Sequence, residues 1–299
     1  MNTVYVDAVL SDDMRRTQLY DGQLFVYSAT DSSRALVSLA RRLINEAFEG
    51  LDPETAQHHM SVEQYAAVLA ELKPKFIHHP ECKTLLPQIL KDVGCDLEKT
   101  YFDVPRMRTA TSDNYLTTGI AYAFHPHRDT WYSAPLCQLN WWMPIYDLES
   151  DRSMAFHPRY WSRGVRNSSA TYNYADWNRT SRFNAAQHVK QDTRVQPRPE
   201  EPMELDPQLR VITPVGGLLL FSAAQMHSTV PNTTGKTRFS IDFRTVNIDD
   251  VLAFRGASNV DSDCTGTTMN HYLRGSDLAH LPAETIAMYE AGPGAKVAV

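Results

Sequence analysis

Thr237-Arg-Phe-Ser-Ile-Asp-Phe-Arg-Thr-Val246 is the run of this chain nearest to strict alternation. Successive side chains of a strand point to opposite faces, so Arg238, Ser240, Asp242 and Arg244 share one face and Phe239, Ile241 and Phe243 the other. The apolar face reads as core. The other face is unusual, because polar groups turned inward are costly unless something pairs with them. A guanidinium grips a carboxylate through two parallel hydrogen bonds, and a serine hydroxyl adds a third, so Arg238 and Ser240 suit a carboxylate ligand. The competing reading is a structural network in which Arg238 or Arg244 pairs with Asp242.

Working outward, three more runs read as strands: Tyr115–Phe124, Cys137–Tyr146 and Val211–Phe221, the last ending in Gly216-Gly217-Leu-Leu-Leu-Phe221. In Gln138-Leu-Asn-Trp-Trp-Met143, alternation puts Gln138, Asn140 and Trp142 on one face. The N-terminal third reads as helical. Leu36, Leu39, Ala40, Leu43, Ile44 and Ala47 recur at helical spacing between Asp31-Ser32-Ser33 and Gly50. Ser61-Val-Glu-Gln64 opens a second helix with a capping box, and Pro74 is expected to end it. A third is expected from about Glu81 to Val93, stopped by Gly94, with a kink or break allowed at Pro87.

The chain thus reads as one domain. Residues 1–100 are mainly helical, 101–250 form the strand-rich core, and 251–299 make a C-terminal extension with a short helix near Ala283–Tyr289. A polar stretch at about 159–209 is too long for an ordinary connection and reads as an insertion or lid. Helices followed by many short strands suggest an α+β fold on an antiparallel β-sandwich.

The 299 residues are 42% hydrophobic, enough for one large core, and the net charge of −6 gives no basic excess to suggest nucleic acid as a partner. No run approaches the ~18 apolar residues of a membrane span. The opening MNTVYVDAVLSDDMRR lacks the pattern of a secretory leader. Cys82, Cys95, Cys137 and Cys264 are scattered without paired metal spacing. A cytoplasmic protein with free thiols is the expectation.

Chemistry enters with Phe124-His-Pro-His-Arg-Asp-Thr-Trp-Tyr132, where His127 and Asp129 stand two residues apart and point the same way from an extended backbone. Two imidazoles and a carboxylate on one face of an octahedron leave three positions open, as in non-haem iron oxygenases. His227, in Gln225-Met-His-Ser-Thr-Val-Pro-Asn232, is the best-placed third ligand. His125 is a weaker candidate, having no carboxylate two residues on. A lone His-x-Asp arises often by chance. Arg238-x-Ser240, beginning eleven residues beyond His227, is what gives this one weight.

Together, His-x-Asp, a distal His preceded by a Gly-Gly-apolar strand, His-Ser-x-x-Pro-Asn and the Arg-x-Ser resemble the Fe(II)- and 2-oxoglutarate-dependent oxygenases. The spacing is closest to the phytanoyl-CoA dioxygenase-like branch, over roughly Tyr101 to Val246. The resemblance implies a double-stranded β-helix (jelly-roll, cupin-like) core with the N-terminal helices packed on one sheet. It implies Fe(II) on His127, Asp129 and His227, and Arg238 with Ser240 on the far carboxylate of 2-oxoglutarate. It also implies use of O2 to hydroxylate, desaturate or cyclise at an unactivated C–H bond, with release of succinate and CO2. Because Asp129 is present, halogenation, which in this family needs a small residue there, is not expected. Two departures fall where substrates are recognised: Phe156-His-Pro-Arg-Tyr-Trp161 replaces a Pro-Gly-Ser-His-like turn, and the insertion lengthens the interval between the ligands.

Asn140 is a further candidate for the cosubstrate. Trp131, Tyr132, Trp142 and Arg244 are candidates for the substrate, although packing explains the aromatic residues as readily. Arg159, Arg163, Arg166, Arg179, Arg182, Arg194 and Arg198, set among Tyr172, Tyr174, Trp177 and Phe183, read either as a solvated loop or as a lid over an anionic or zwitterionic small molecule. The rivals are a cupin-type iron dioxygenase or isomerase that does not use 2-oxoglutarate, and a non-catalytic jelly-roll binding protein. Succinate formation and iron binding separate them.

Overall fold

The structure is a computed structural model that describes residues 3–294, with Arg182 and Phe183 described by their backbone alone. In chain order the strands and helices are β1 (Val4–Val6), α1 (Asp12–Tyr20), β2 (Leu24–Tyr27), α2 (Asp31–Ala47), α3 (Val62–Ile77), α4 (Pro80–Asp92), β3 (Thr100–Phe102) and β4 (Arg106–Ala110). There follow β5 (Leu139–Pro144), β6 (Met154–Phe156), α5 (Tyr174–Thr180), β7 (Leu209–Arg210), β8 (Leu218–Ser222), β9 (His227–Thr229), β10 (Arg238–Asn247), α6 (Ile248–Leu252), β11 (Leu273–Arg274) and α7 (Ala283–Ala287).

The strands form two sheets. The larger has eight strands in the order β1-β2-β8-β5-β10-β3-β11, with β4 also paired to β10, and the smaller runs β7-β6-β9. All pairings are antiparallel except β1 with β2. Central β10 pairs β5 along one edge and β4 then β3 along the other, so its two faces divide the interior. Phe239, Ile241 and Phe243 join Trp141, Met143, Leu218 and Leu220 in the main core with Leu36, Ala40 and Ile44 of α2 and Tyr65, Leu69 and Leu72 of α3. Burying each large side chain of that face contributes about 1.5–3 kcal/mol. On the opposite face, Trp142, Leu219 and Phe221 pack against Met154 and Phe156 of the small sheet.

Local sequence explains most of the helices. Thr30 and Ser33 close a reciprocal cap on α2, and Ser61 and Gln64 do so on α3. Pro74 does not end α3 as expected. It sits near the C-terminus, where one missing N–H is tolerated, and the helix closes with His78 N–H on the Pro74 carbonyl. Nor does Pro87 break α4. The helical N-terminal third also hides β1 and β2, which extend the large sheet through β8.

A second expectation fails at Tyr115–Phe124, which is a looped segment with a 3₁₀ turn at Gly119–Ala121. Asp113 and Asn114 take left-handed backbone angles, Thr111 Oγ1 serves the Leu116 peptide at both ends, and the Ala123 N–H closes back on Thr117. Those peptide groups are satisfied locally, so no ladder recruits them. The four cysteines are free thiols. Among the described residues, no helix is long and apolar enough to cross a membrane.

Candidate metal centre

His127 and His227 face each other across one antiparallel bridge, each N–H donating to the other's carbonyl at 2.9 Å. Such a pair puts both side chains on one side, and the ring centroids lie 4.3 Å apart. The bridge exists because β9 emerges from a tight turn, Ser222–Gln225, directly after β8, and Asp129 N–H is tied to the Ala223 carbonyl at 2.9 Å. Two segments distant in sequence are thereby locked in register, and the Asp129 carboxylate swings toward both rings: Oδ1 lies 3.4 Å from His127 Nε2 and 3.9 Å from His227 Nε2. All three candidate ligand atoms fall within 4.8 Å of one another, close enough to share an ion.

The protonation states favour a metal. His127 Nδ1 is 2.8 Å from the His125 carbonyl, and His227 Nδ1 is 2.9 Å from the Gln225 carbonyl. A carbonyl only accepts, so each Nδ1 carries the proton and each Nε2 presents its lone pair to the centre. Burial, then the neighbouring His127, pushes the His227 ring down to about 4, so it is neutral at pH 7. For Asp129, burial acts to raise the pKa, but its surroundings, with both imidazoles beside it and the Arg244 guanidinium beyond, hold the carboxyl well below the usual range. His125 turns away, with its ring on Tyr122 Oη and the Pro197 carbonyl.

Asp129 Oδ2 accepts from Asn140 Nδ2 at 2.9 Å, and Asn140 Oδ1 accepts from Gln138 Nε2 at 2.9 Å. Gln138 Oε1 in turn accepts from Tyr272 Oη and Thr268 Oγ1. Asn140 therefore orients the carboxylate through a buried chain that ends in the C-terminal extension. Groups of this kind typically change metal affinity ~10–100-fold. Asn140→Ala is expected to weaken Co(II) binding by about that factor while leaving the fold intact; an anaerobic titration followed in the visible region would detect it, and an unchanged affinity would refute the role.

The polar face of β10 sorts into two paired residues and two without a charged partner. Asp242 is held by Arg108 through a bidentate pair at 2.6 and 3.1 Å. Arg244 is bound to Asp103, which also takes Arg106. Burial acts to lower the Arg244 pKa and to raise that of Asp103; the attraction between them, with Arg106 assisting on Asp103, shifts each the other way. Arg244 is thus part of a structural network. Among the described residues, the Arg238 guanidinium hydrogen-bonds only to the carbonyls of Ser153, at 2.9 Å, and Arg152, at 3.3 Å. Its Nε and the Ser240 hydroxyl are both buried with no hydrogen-bond partner among the described residues. Burial, Arg108 and Arg152 push the guanidinium down to about 10, still charged at pH 7. A buried cation and a buried hydroxyl on one strand face, both under-satisfied, mark a place shaped for an acceptor.

Asp103→Asn would leave Arg106 and Arg244 buried without a counter-charge. The expected loss is about 3–5 kcal/mol in urea denaturation. Because the folded carboxyl is depressed, its contribution is fully present above the unfolded value of 3.8 and disappears as pH falls through the folded one. Wild type and variant should therefore converge in strong acid, and a gap that persists there would refute the ionic account.

Of the other candidates, Tyr132 stands with its ring 5.5 Å from His127, its hydroxyl donating to the Pro197 carbonyl. Trp142 lies between the sheets with the Arg238 guanidinium 5.8 Å above its ring. Trp131, a substrate candidate from the sequence, is fully buried and packs with Tyr160, Val165 and Met226, its indole N–H on Asp261 at 2.7 Å. Sequence reasoning missed Arg128. It projects opposite to His127 and Asp129, donates to the carbonyls of Ala224, Tyr160 and Arg163, and pairs with Asp261. Its position between the two ligands, with alternation turning it into the body of the protein, was the available signal.

No family model and no curated protein matches the chain. Among solved structures, it is similar to EvdO2 from Micromonospora carbonacea var. aurantiaca, at 12% identity over 81% of this chain and 93% of that one, TM-score 0.45. It is also similar to the non-haem α-ketoglutarate-dependent carbocyclase SnoK from nogalamycin biosynthesis, at 13% identity over 85% and 93%, TM-score 0.38. A third is the non-haem α-ketoglutarate-dependent epimerase SnoN from the same biosynthesis, at 13% identity over 79% and 84%, TM-score 0.36.

Proposed function

We propose that this chain is an Fe(II)- and 2-oxoglutarate-dependent oxygenase that oxidises an unactivated C–H bond of a small metabolite. The observation that carries the reading is the coexistence of the His127–Asp129–His227 cluster with the under-satisfied Arg238 Nε and Ser240 Oγ on one face of β10. Two sheets packed across a shared apolar layer support the jelly-roll description of the core.

His127, Asp129 and His227 would hold the iron, and Arg238 with Ser240 would hold the far carboxylate of 2-oxoglutarate. When bound, iron, 2-oxoglutarate and O2 together supply a two-electron oxidant, one oxygen atom ending in succinate and the other in the hydroxylated product, with CO2 released. The chain's own contribution is placement. The two Nδ1–H contacts fix both imidazole planes, and Asn140 fixes the carboxylate. Phe221 and Phe156 pack around His227, and Phe124 stacks on His127 at 4.9 Å, shielding the ligand side from water. Arg238 brings a charge already desolvated, so a carboxylate gains more there than it would at the surface.

The test is succinate formation from anaerobically reconstituted protein given Fe(II), 2-oxoglutarate and ascorbate, then oxygen, with and without pooled metabolite extract. Succinate that rises with extract supports the reading and turns the extract into a substrate screen. Iron-loaded protein that neither forms succinate nor binds 2-oxoglutarate would move the cosubstrate-free dioxygenase ahead.

A further inference from the structure

The insertion folds around a cleft of about 430 Å³ whose walls run from Thr171 to Val195. One wall is aromatic: Tyr172 and Trp177 stand with ring centroids 6.4 Å apart. Tyr172 is itself 5.4 Å from Tyr132, and Tyr132 is 5.5 Å from His127, so the cleft begins two ring contacts from the candidate iron ligands.

The charges of this wall are neutralised within the insertion. Asp176 is bound by Arg179 at 3.0 Å and Arg194 by Asp192 at 2.6 Å. What remains toward the cleft is mostly neutral: the hydroxyl and amide groups of Thr180, Ser181, Asn184 and Thr193. Elsewhere in the insertion Arg159 is paired with Glu204, and Arg166 donates to the Glu200 carbonyl. Among the described side chains, an anionic ligand finds little uncompensated charge here. The Trp177 indole N–H is shielded from water yet has no acceptor among the described residues. That group would gain from a small adjustment of α5 that brought an acceptor to it.

We propose that this cleft is a binding subsite for an uncharged, hydroxyl-bearing ring of the sugar type, with Trp177 as its stacking platform. Calling the ring part of the substrate rests on the oxygenase reading, but its binding does not. An aromatic face covers the C–H side of such a ring, while neutral side chains exchange hydrogen bonds with its hydroxyls.

The experiment is saturation-transfer NMR on the metal-free full-length protein, with methyl β-D-glucopyranoside as the neutral probe and glucose 6-phosphate as the anionic one. Transfer to the ring C–H protons of the neutral probe is expected in wild type. It should fall at least about fivefold in Trp177→Ala and persist in Trp177→Phe, which keeps a ring. Asn184→Trp, which fills the cleft from its exposed rim, should abolish it and keeps the test decisive if Trp177→Ala folds poorly. No transfer in wild type, undiminished transfer in the Ala and Trp variants, or stronger transfer to the phosphate would each overturn the proposal. Probe binding by a protein that, loaded with iron, neither forms succinate nor binds 2-oxoglutarate would retain the subsite and remove the oxygenase reading; succinate formation without probe binding would do the reverse.

Discussion

Asp129→Ala is expected to lose Fe(II) binding by a factor on the order of a thousand or more, beyond the ~10–100-fold typical of outer-shell partners. Asp129 is the only anion of the three ligands, so its loss leaves two neutral imidazoles to hold a divalent cation. Its carboxylate also lies within reach of both rings, which makes it the geometric centre of the cluster. The fold should survive, since the His127–His227 bridge is made by backbone atoms. Anaerobic Co(II) titration of wild type and variant, with circular dichroism to check folding, would decide it. A folded variant that binds within tenfold of wild type would place the ion elsewhere.

Arg238→Met should separate binding from stability. Truncating one side of a buried, hydrogen-bonded charge pair costs about 2–5 kcal/mol, so 2-oxoglutarate affinity is expected to fall at least about thirtyfold. The ligand-free variant should be no less stable than wild type, because the substitution removes a desolvated cation that has no carboxylate partner among the described residues. Thermal melts with Mn(II), with and without 2-oxoglutarate, read both effects together. Wild type should melt higher when the cosubstrate is added, by the linkage of binding to folding, and the variant should not respond. A variant that keeps its response would show that Arg238 is structural.

Features legible in the sequence were those that local pattern encodes. The alternation from Arg238 to Val246 predicted both faces of β10, and the capping boxes at Thr30–Ser33 and Ser61–Gln64 lie where short-range hydrogen bonding closes them, although only the second was read as a box. His127, Asp129 and His227 were nameable because their spacing is local on each side of the site. The identity of the partners was not. Asp242 had Arg244 close by in sequence, yet it pairs with Arg108 of β4, because antiparallel register sets Arg108 opposite Ser240. Asn140 was read toward the cosubstrate; the fold turns it to Asp129, a contact that depends on how the loop between them closes. The arginines of the insertion suggested an anion, and only the folded arrangement reveals how many are matched by acids of the same segment.

The backbone bridge between His127 and His227 has a consequence for how such a protein can vary. Ligand geometry is fixed by two hydrogen bonds and by the turn after β8, none of which depends on how much chain runs between the two histidines. Each doubling of an intervening loop costs only about 0.6 kcal/mol in closure entropy. The stretch between the histidines can therefore change in length at little cost, provided it keeps the Tyr160 and Arg163 carbonyls that hold Arg128 and the Pro197 carbonyl that meets His125 and Tyr132.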